Sequence, residues 1–350
     1  MSVSQVSTVD RVEASPKSNK PDNTAFTQQR LPAWQPILSA GYVLPLFIVF
    51  GLIFIGIGLG LHFTSNSIME KQIDYTGDTS EHACYNCSMN ANKNCKCTIR
   101  FTVTQMMKGP IFMYYGLSNF FQNNRKYVIS RDDIQLFGDL DNFQNPSNYC
   151  FPFVRDSQKR PIVPCGAIAN SLFNDSFTLY KVGNDNNRSQ VVLKSKGISW
   201  WTDYNVKFKN PVTTNNNSVL QAAFDGTVKP LNWLRPAYEL DTNPQNNGFQ
   251  NEDFIVWMRI AALPTFRKLY RRIDEGLTVG KYDLEIAYNY PVLSFDGRKH
   301  ITFSTISWMG GKNSFLGIAY LVCGSLCVVT GIVLLIVYIK YQKQHHGSAE

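Results

Sequence analysis

The chain has 350 residues, a net charge of +8 and a 44% hydrophobic composition, with eight cysteines. That length leaves room for one sizeable soluble domain with its own core. The positive charge is spread along the chain, and its densest cluster, Arg267, Lys268, Arg271 and Arg272, reads as the solvated face of a helix, with a membrane-facing role as the alternative.

Residues 1–36 form an N-terminal tail. To about residue 29 it is polar and rich in Ser, Asn and Lys, without the apolar periodicity that would fold it alone. RLPAWQPIL (30–38) then places two prolines and Trp34 just before an apolar run, which fits an indole at the headgroup level or a docking contact.

Residues 37–63 are that run. No Asp, Glu, Lys or Arg lies between Arg30 and Glu70, and the stretch exceeds the roughly 20 apolar residues that span a bilayer. Pro45 falls in its first turns, where a missing N–H costs least. A secretory signal has an apolar core of only about 7–15 residues, so an uncleaved signal anchor is expected. Arg11, Lys17, Lys20 and Arg30 precede it and favour a cytosolic N-terminus. Within the run, Gly56-x-Gly58-x-Gly60 offers a small-xxx-small helix contact.

Residues 64–312 are expected outside or in the lumen, where nucleic acid is not an expected partner. They hold Cys84, Cys87, Cys95, Cys97, Cys150 and Cys165, an even number that reads as disulfides in an oxidising compartment. Cys84-x-x-Cys87 with Cys95-x-Cys97 also admits a zinc site, although C-x-C is a poor second half for one. CTIRFTVTQ (97–105) alternates Ile99, Phe101 and Val103 against polar neighbours and predicts a half-buried strand. IFMYYGLSNFF (111–121) begins as a strand and is expected to finish as a helix. AIANSLFNDSF (167–177) predicts a short helix and a turn, and 177–193 a strand pair around a polar turn. GISWWTD, VKFKNP and LNWLRPAYEL read as short strands or loops. NEDFIVWMRIAALPTFRKLYRRI (251–273) reads as the clearest helix outside the membrane, capped by Asn251 and kinked or divided by Pro264. KYDLEIAYNYPV (281–292) and KHITFSTISWM (299–309) predict two strands joined by a turn at Asp296-Gly297. The fold class expected is a two-span membrane protein whose helices flank a mainly antiparallel β-sandwich ectodomain with a few helices. Sequons occur at Asn86, Asn174, Asn187 and Asn216, the first with a cysteine as its middle residue.

Residues 313–339 form a second uncharged run between Lys312 and Lys340, followed by a short basic tail, 340–350, also expected in the cytosol. Gly317, Gly324 and Gly331 recur every seven residues and so line one helix face, a packing face for the first span or for another protein. Cys323 and Cys327 in this run read as small apolar residues.

No catalytic constellation stands out. The five histidines, His62, His82, His300, His345 and His346, accompany no triad or metal motif, and HExxH, GxSxG and a Walker loop are all lacking. Asp132-Asp133 and Glu252-Asp253 read as a loop and a helix start. The reading is of a non-enzyme with no catalytic residues, metal or cofactor.

Several long runs together resemble a known family: PDNTAFTQQRLPAWQP, MYYGLSNFFQNNRKYVISRDD, PCGAIANSLFNDSF, GISWWTDYNVKFKNP, NEDFIVWMRIAALPTFRKLYR and ISWMGGKNSFLGIAYL. The chain beyond about residue 20 is similar throughout to the accessory (beta) subunits of lipid-flipping type-IV P-type ATPases, the cell division control protein fifty family. The resemblance implies a non-catalytic subunit that binds a ten-span catalytic subunit as a heterodimer. It is needed for that partner's folding, exit from the endoplasmic reticulum and aminophospholipid translocation. The locations implied are the endoplasmic reticulum, Golgi and secretory vesicles, endosomes and plasma membrane. The resemblance further implies pairs Cys84–Cys97, Cys87–Cys95 and Cys150–Cys165, and N-glycans at Asn174 and, with the sequons, at Asn187 and Asn216. Another family glycan site is replaced here by Glu285-Ile286-Ala287. Trp34 and the Gly317, Gly324 and Gly331 face would meet the catalytic subunit, and membrane lipids would surround the spans. The alternative reading is a two-span trimeric ligand-gated channel subunit, whose pore helix should carry a polar stripe where this one offers Ser325, Thr330 and glycine. A third is an adhesion or receptor ectodomain.

Overall fold

A computed structural model describes residues 19–33, 39–89, 95–183, 185, 187–212 and 215–347, with side chains described to residue 342. The chain divides into two compact units, Phe54–Val322 and, separately, Met1–Ile53 with Cys323–Glu350.

The larger unit holds two four-stranded antiparallel sheets. The first has the order β1 (Glu70–Asp74), β8 (Lys299–Thr305), β3 (Ile111–Leu117), β6 (Phe266–Ile273), and the second the order β2 (Cys95–Val103), β7 (Gly280–Tyr288), β4 (Ser176–Val182), β5 (Arg188–Gln190). Alternation places Phe101 and Val103 of β2 inward, as expected, while Thr98, Arg100 and Thr102 stay exposed. The inward residues of the two sheets meet through aromatic rings. Phe101 stacks on Phe303 of β8 at 5.5 Å and on Tyr282 of β7 at 5.7 Å, and Phe177 meets Tyr270 of β6 edge-on at 5.0 Å. β7 and β8 are not a hairpin. The turn with Asp296 at φ 52° carries the chain from one sheet to the other.

A second aromatic group, Phe143, Phe208, Phe224, Trp233, Phe249 and Phe254, is buried among the connections between strands. Two buried indoles find acceptors on one short helix, Ala167–Asn170: Trp257 Nε1 donates to Ile168 O at 2.8 Å and Trp233 Nε1 to Ala169 O at 2.6 Å.

Three expectations fail. Residues 251–273 are not one helix: a helix runs over Glu252–Met258 and a strand, β6, over Phe266–Ile273. Pro264 lies between them, where its ring disfavours helix in the preceding residue. The basic cluster is therefore on a strand, and Lys268 is buried rather than solvated. The chain after β3 does not continue directly as a helix; it turns, and one-turn helices follow at Arg125–Val128 and Asp133–Leu136. VKFKNP is loop from Phe208 onward, as expected, and only its first two residues, Val206 and Lys207, fall within a π-helical turn at Asp203–Lys207.

Two helices are long and apolar enough to cross a membrane, Ala40–Asn66 and the first 28 residues of Phe315–Gly347, each containing an 18-residue stretch with a mean hydropathy of 2.6. Most of their side chains are exposed, which is not the pattern of core helices in a soluble protein.

Candidate partner-binding surfaces

The two long helices meet through glycines. In the smaller unit, a Cβ on Gly51 would lie 2.6 Å from Val328 Cγ2 and 3.0 Å from the carbonyl oxygen of Gly324, and one on Gly331 would lie 3.0 Å from Ile48. In the larger unit, a Cβ on Gly58 would lie 2.9 Å from the backbone nitrogen of Leu321, and one on Gly317 would lie 2.9 Å from that of His62. At Gly51, Gly58 and Gly317 the close atoms include backbone of the facing helix, so glycine is needed there, whereas Gly331 meets the side chains of Ile48 and Phe47. Gly317, Gly324 and Gly331 are all buried, and the face they build is occupied by the chain's own first long helix. On the first helix the facing pair is Gly51 and Gly58; Gly56 and Gly60 meet nothing within 4 Å. Trp34 lies outside the described residues.

The outer helix ends are tied into the ectodomain. Asn313 N–H donates to Ser65 Oγ at 3.1 Å, and Met69 and Thr305 bond to each other, with Thr305 N–H on Met69 O at 3.0 Å and Met69 N–H on Thr305 Oγ1 at 3.0 Å.

The six ectodomain cysteines are paired Cys84–Cys97, Cys87–Cys95 and Cys150–Cys165, as the resemblance implied. Bonded sulfurs leave no thiolates for a zinc site. Asn86, Asn187 and Asn216 are exposed, while Asn174 is half-buried with an enclosed Oδ1 that has no hydrogen-bond partner. Asn216 Oδ1 caps a helix by accepting from Ser218 N–H at 2.9 Å.

Asp175, the middle residue of the Asn174 sequon, is fully buried. It accepts from Lys299 Nζ at 2.7 Å, Tyr75 Oη at 3.1 Å, and the N–H groups of Asn289 and Tyr290 at 2.6 and 2.7 Å. Burial pushes Lys299 down to about 8, with the Asp175 carboxylate pulling against that shift. Asp132 is another buried carboxylate hub, accepting from Ile134 and Gln135 N–H at 3.0 Å and Ser147 N–H at 2.8 Å.

Sequence reading missed an apolar groove of about 670 Å³. Ile134, Leu136 and Phe137 line one side, and Val206, Phe208 and Met258 the other. Beside it stand Trp200 and Trp201, 66% and 70% exposed, with Arg259 over the Trp200 ring at 4.3 Å. Glu252 fixes the loop before them by accepting from the N–H groups of Gly197, Ile198 and Ser199 at 2.8–2.9 Å. The visible signal is the WW pair itself, in a stretch that reads as a short strand or loop on the sequence alone.

A family model described as the LEM3 (ligand-effect modulator 3) family / CDC50 family matches residues 61–344. The chain belongs to that family. It is 58% identical to cell cycle control protein 50A of Bos taurus over 95% of this chain and 92% of the relative. It is 54% identical to cell cycle control protein 50B of Homo sapiens, over 95% and 97%. A more distant relative, ALA-interacting subunit 3 of Arabidopsis thaliana, is 38% identical over 94% and 89%. This is the flippase beta-subunit family to which the quoted runs pointed, and the channel reading finds no support in it.

Proposed function

We propose that the chain is the non-catalytic accessory subunit of a phospholipid flippase, a heterodimer with a type-IV P-type ATPase catalytic subunit. Membership of the family across nearly the whole chain carries this reading. One relative is itself named as an interacting subunit. The architecture suits such a role: paired apolar helices for the bilayer, and a disulfide-tied ectodomain with an exposed aromatic and apolar surface.

In this reading both termini are cytosolic and the ectodomain is lumenal or extracellular, with N-glycans on Asn174, Asn187 and Asn216. The subunit acts by differential binding: it stabilises the folded, exportable partner and favours the states of its cycle that move aminophospholipid. It supplies neither the nucleotide site nor the phosphorylated aspartate. With the glycine faces turned on each other, the catalytic subunit meets the outward faces of the helix pair, the ectodomain and the segment around Trp34. The proposed route runs from the endoplasmic reticulum through the Golgi and secretory vesicles to endosomes and the plasma membrane.

Lipid-stimulated ATP hydrolysis tests the role. A catalytic subunit purified with this chain should hydrolyse ATP in response to aminophospholipid, and the same subunit produced without it should not. Equal lipid-stimulated rates from both preparations would remove the requirement.

A further inference from the structure

The segment between β8 and the second long helix makes a short excursion whose two ends are both pinned at the outer end of the helix pair. It leaves from Thr305, bonded to Met69, three residues past the end of the first helix. It returns at Asn313, whose N–H donates to Ser65 in that helix's last turn. Between them Ser307 and Gly310 exchange both backbone hydrogen bonds at 2.9 Å, closing a turn with Trp308 and Met309 at its tip. Gly310 takes φ +100°, a conformation side chains disfavour. Trp308 is three residues from Thr305, so an extended chain puts it at most about 10 Å from that pinned residue.

That tip is apolar and uncovered. Trp308 is 81% exposed, and Ile306, Phe63 and Phe315, all close to the helix ends, are exposed as well. Basic groups flank it: Lys312 precedes the second helix, and Arg267 reaches within 3.2 Å of the Cβ position of Gly311 while paired with Glu70 at 3.1 Å. An indole with neighbouring cations at the end of an apolar helix is the chemistry of the bilayer interface, where the ring lies among headgroups and cations meet lipid phosphate.

We propose that the Ser307–Gly310 turn is an interfacial anchor: Trp308 enters the headgroup layer of the leaflet on the ectodomain side, with Lys312 at the phosphates. The occupant is the phospholipid surface, chosen because the turn is continuous with both long helices. The proposal rests on the reading that those helices span a bilayer, and it adds a lipid contact made by the ectodomain itself.

Depth-dependent quenching tests it on the full chain in phosphatidylcholine–phosphatidylserine vesicles. In a Cys323→Ala, Cys327→Ala background, one cysteine is introduced at a time by Trp308→Cys, Trp201→Cys or Leu326→Cys, and carries an environment-sensitive fluorophore. Trp201 is exposed on the ectodomain and Leu326 on the second helix, so both positions tolerate a label. Lipids bearing a nitroxide at the headgroup should quench the probe at 308 several-fold more than the probe at 201. Lipids with a nitroxide deep in the chain should quench the probe at 326. Quenching at 308 no greater than at 201, with 326 quenched, would overturn the anchor while leaving the spans in place. Absence of quenching at 326 would overturn the spanning reading and the anchor with it.

Discussion

Lys299 of one sheet and Asp175, at the start of a strand of the other, form a fully buried ion pair at 2.7 Å. Every polar group in it is used. Lys299 Nζ also donates to Tyr290 O at 2.7 Å and lies 3.2 Å from the centre of the Tyr288 ring, while Asp175 takes three donors besides the lysine. The pair therefore fastens the two sheets at the place where the Asn174 sequon lies.

Breaking one partner should cost far more than breaking both, because a lone buried charge has nowhere to go. Lys299→Met and Asp175→Asn should each lower stability by about 3–5 kcal/mol, and the double variant by less than their sum. Thermal unfolding of the full chain in detergent, arranged as a double-mutant cycle, measures the difference. Additive losses would show that the two residues act independently.

The glycine contacts yield a sharp contrast between neighbouring positions. Gly58→Leu would drive a side chain into the Leu321 backbone, and Gly56→Leu would meet open space. Gly58→Leu should lower the unfolding temperature and the yield of monodisperse protein, and Gly56→Leu should change neither. The same outcome for both variants would mean that the helix pair does not depend on this contact.

What was legible in the sequence depended on whether a local pattern also determined the long-range partner. β2 announced itself because Phe101 and Val103 alternate with polar residues on a strand with one solvated face. The seven-residue glycine spacing marked a packing face on the second helix, and Gly51 and Gly58 carry the same spacing on the first, where the denser Gly56-x-Gly58-x-Gly60 run obscures it. β6 was hidden by Lys268. A lysine at an inward strand position breaks the expected alternation, and with Arg267, Arg271 and Arg272 it mimics a basic helix end. The turn at Asp296 looked like a hairpin turn although its strands lie in different sheets, a fact set by cross-sheet packing. Disulfide connectivity came only from the family resemblance, since spacing alone leaves 15 pairings open for six cysteines.

Lys268 gives a pH-dependent signature. Its Nζ donates to the carbonyls of Val256, Trp257 and Arg259 at the end of the Glu252–Met258 helix. Burial, helped by Arg259, pushes its pKa down to about 7 from the ordinary lysine value of 10.5. Between those values the unfolded chain holds a proton that the folded chain has released, so this residue makes stability rise with pH across that window, by at most about 1.4 kcal/mol per pH unit. Below about 7 both states are protonated and the dependence ends. Lys268→Met should lower stability overall, through carbonyls left without a donor, and should remove this slope. Unfolding measured at several pH values for both proteins tests it, and parallel profiles would contradict the assignment.

The proposed role as a pump subunit is put to the test by co-expression with type-IV P-type ATPase catalytic subunits followed by affinity purification in mild detergent. A stoichiometric one-to-one complex is expected, with N-glycans on this chain that mature only when a catalytic subunit is present. A chain whose glycans mature fully when expressed alone, and which purifies with no catalytic subunit attached, would contradict it.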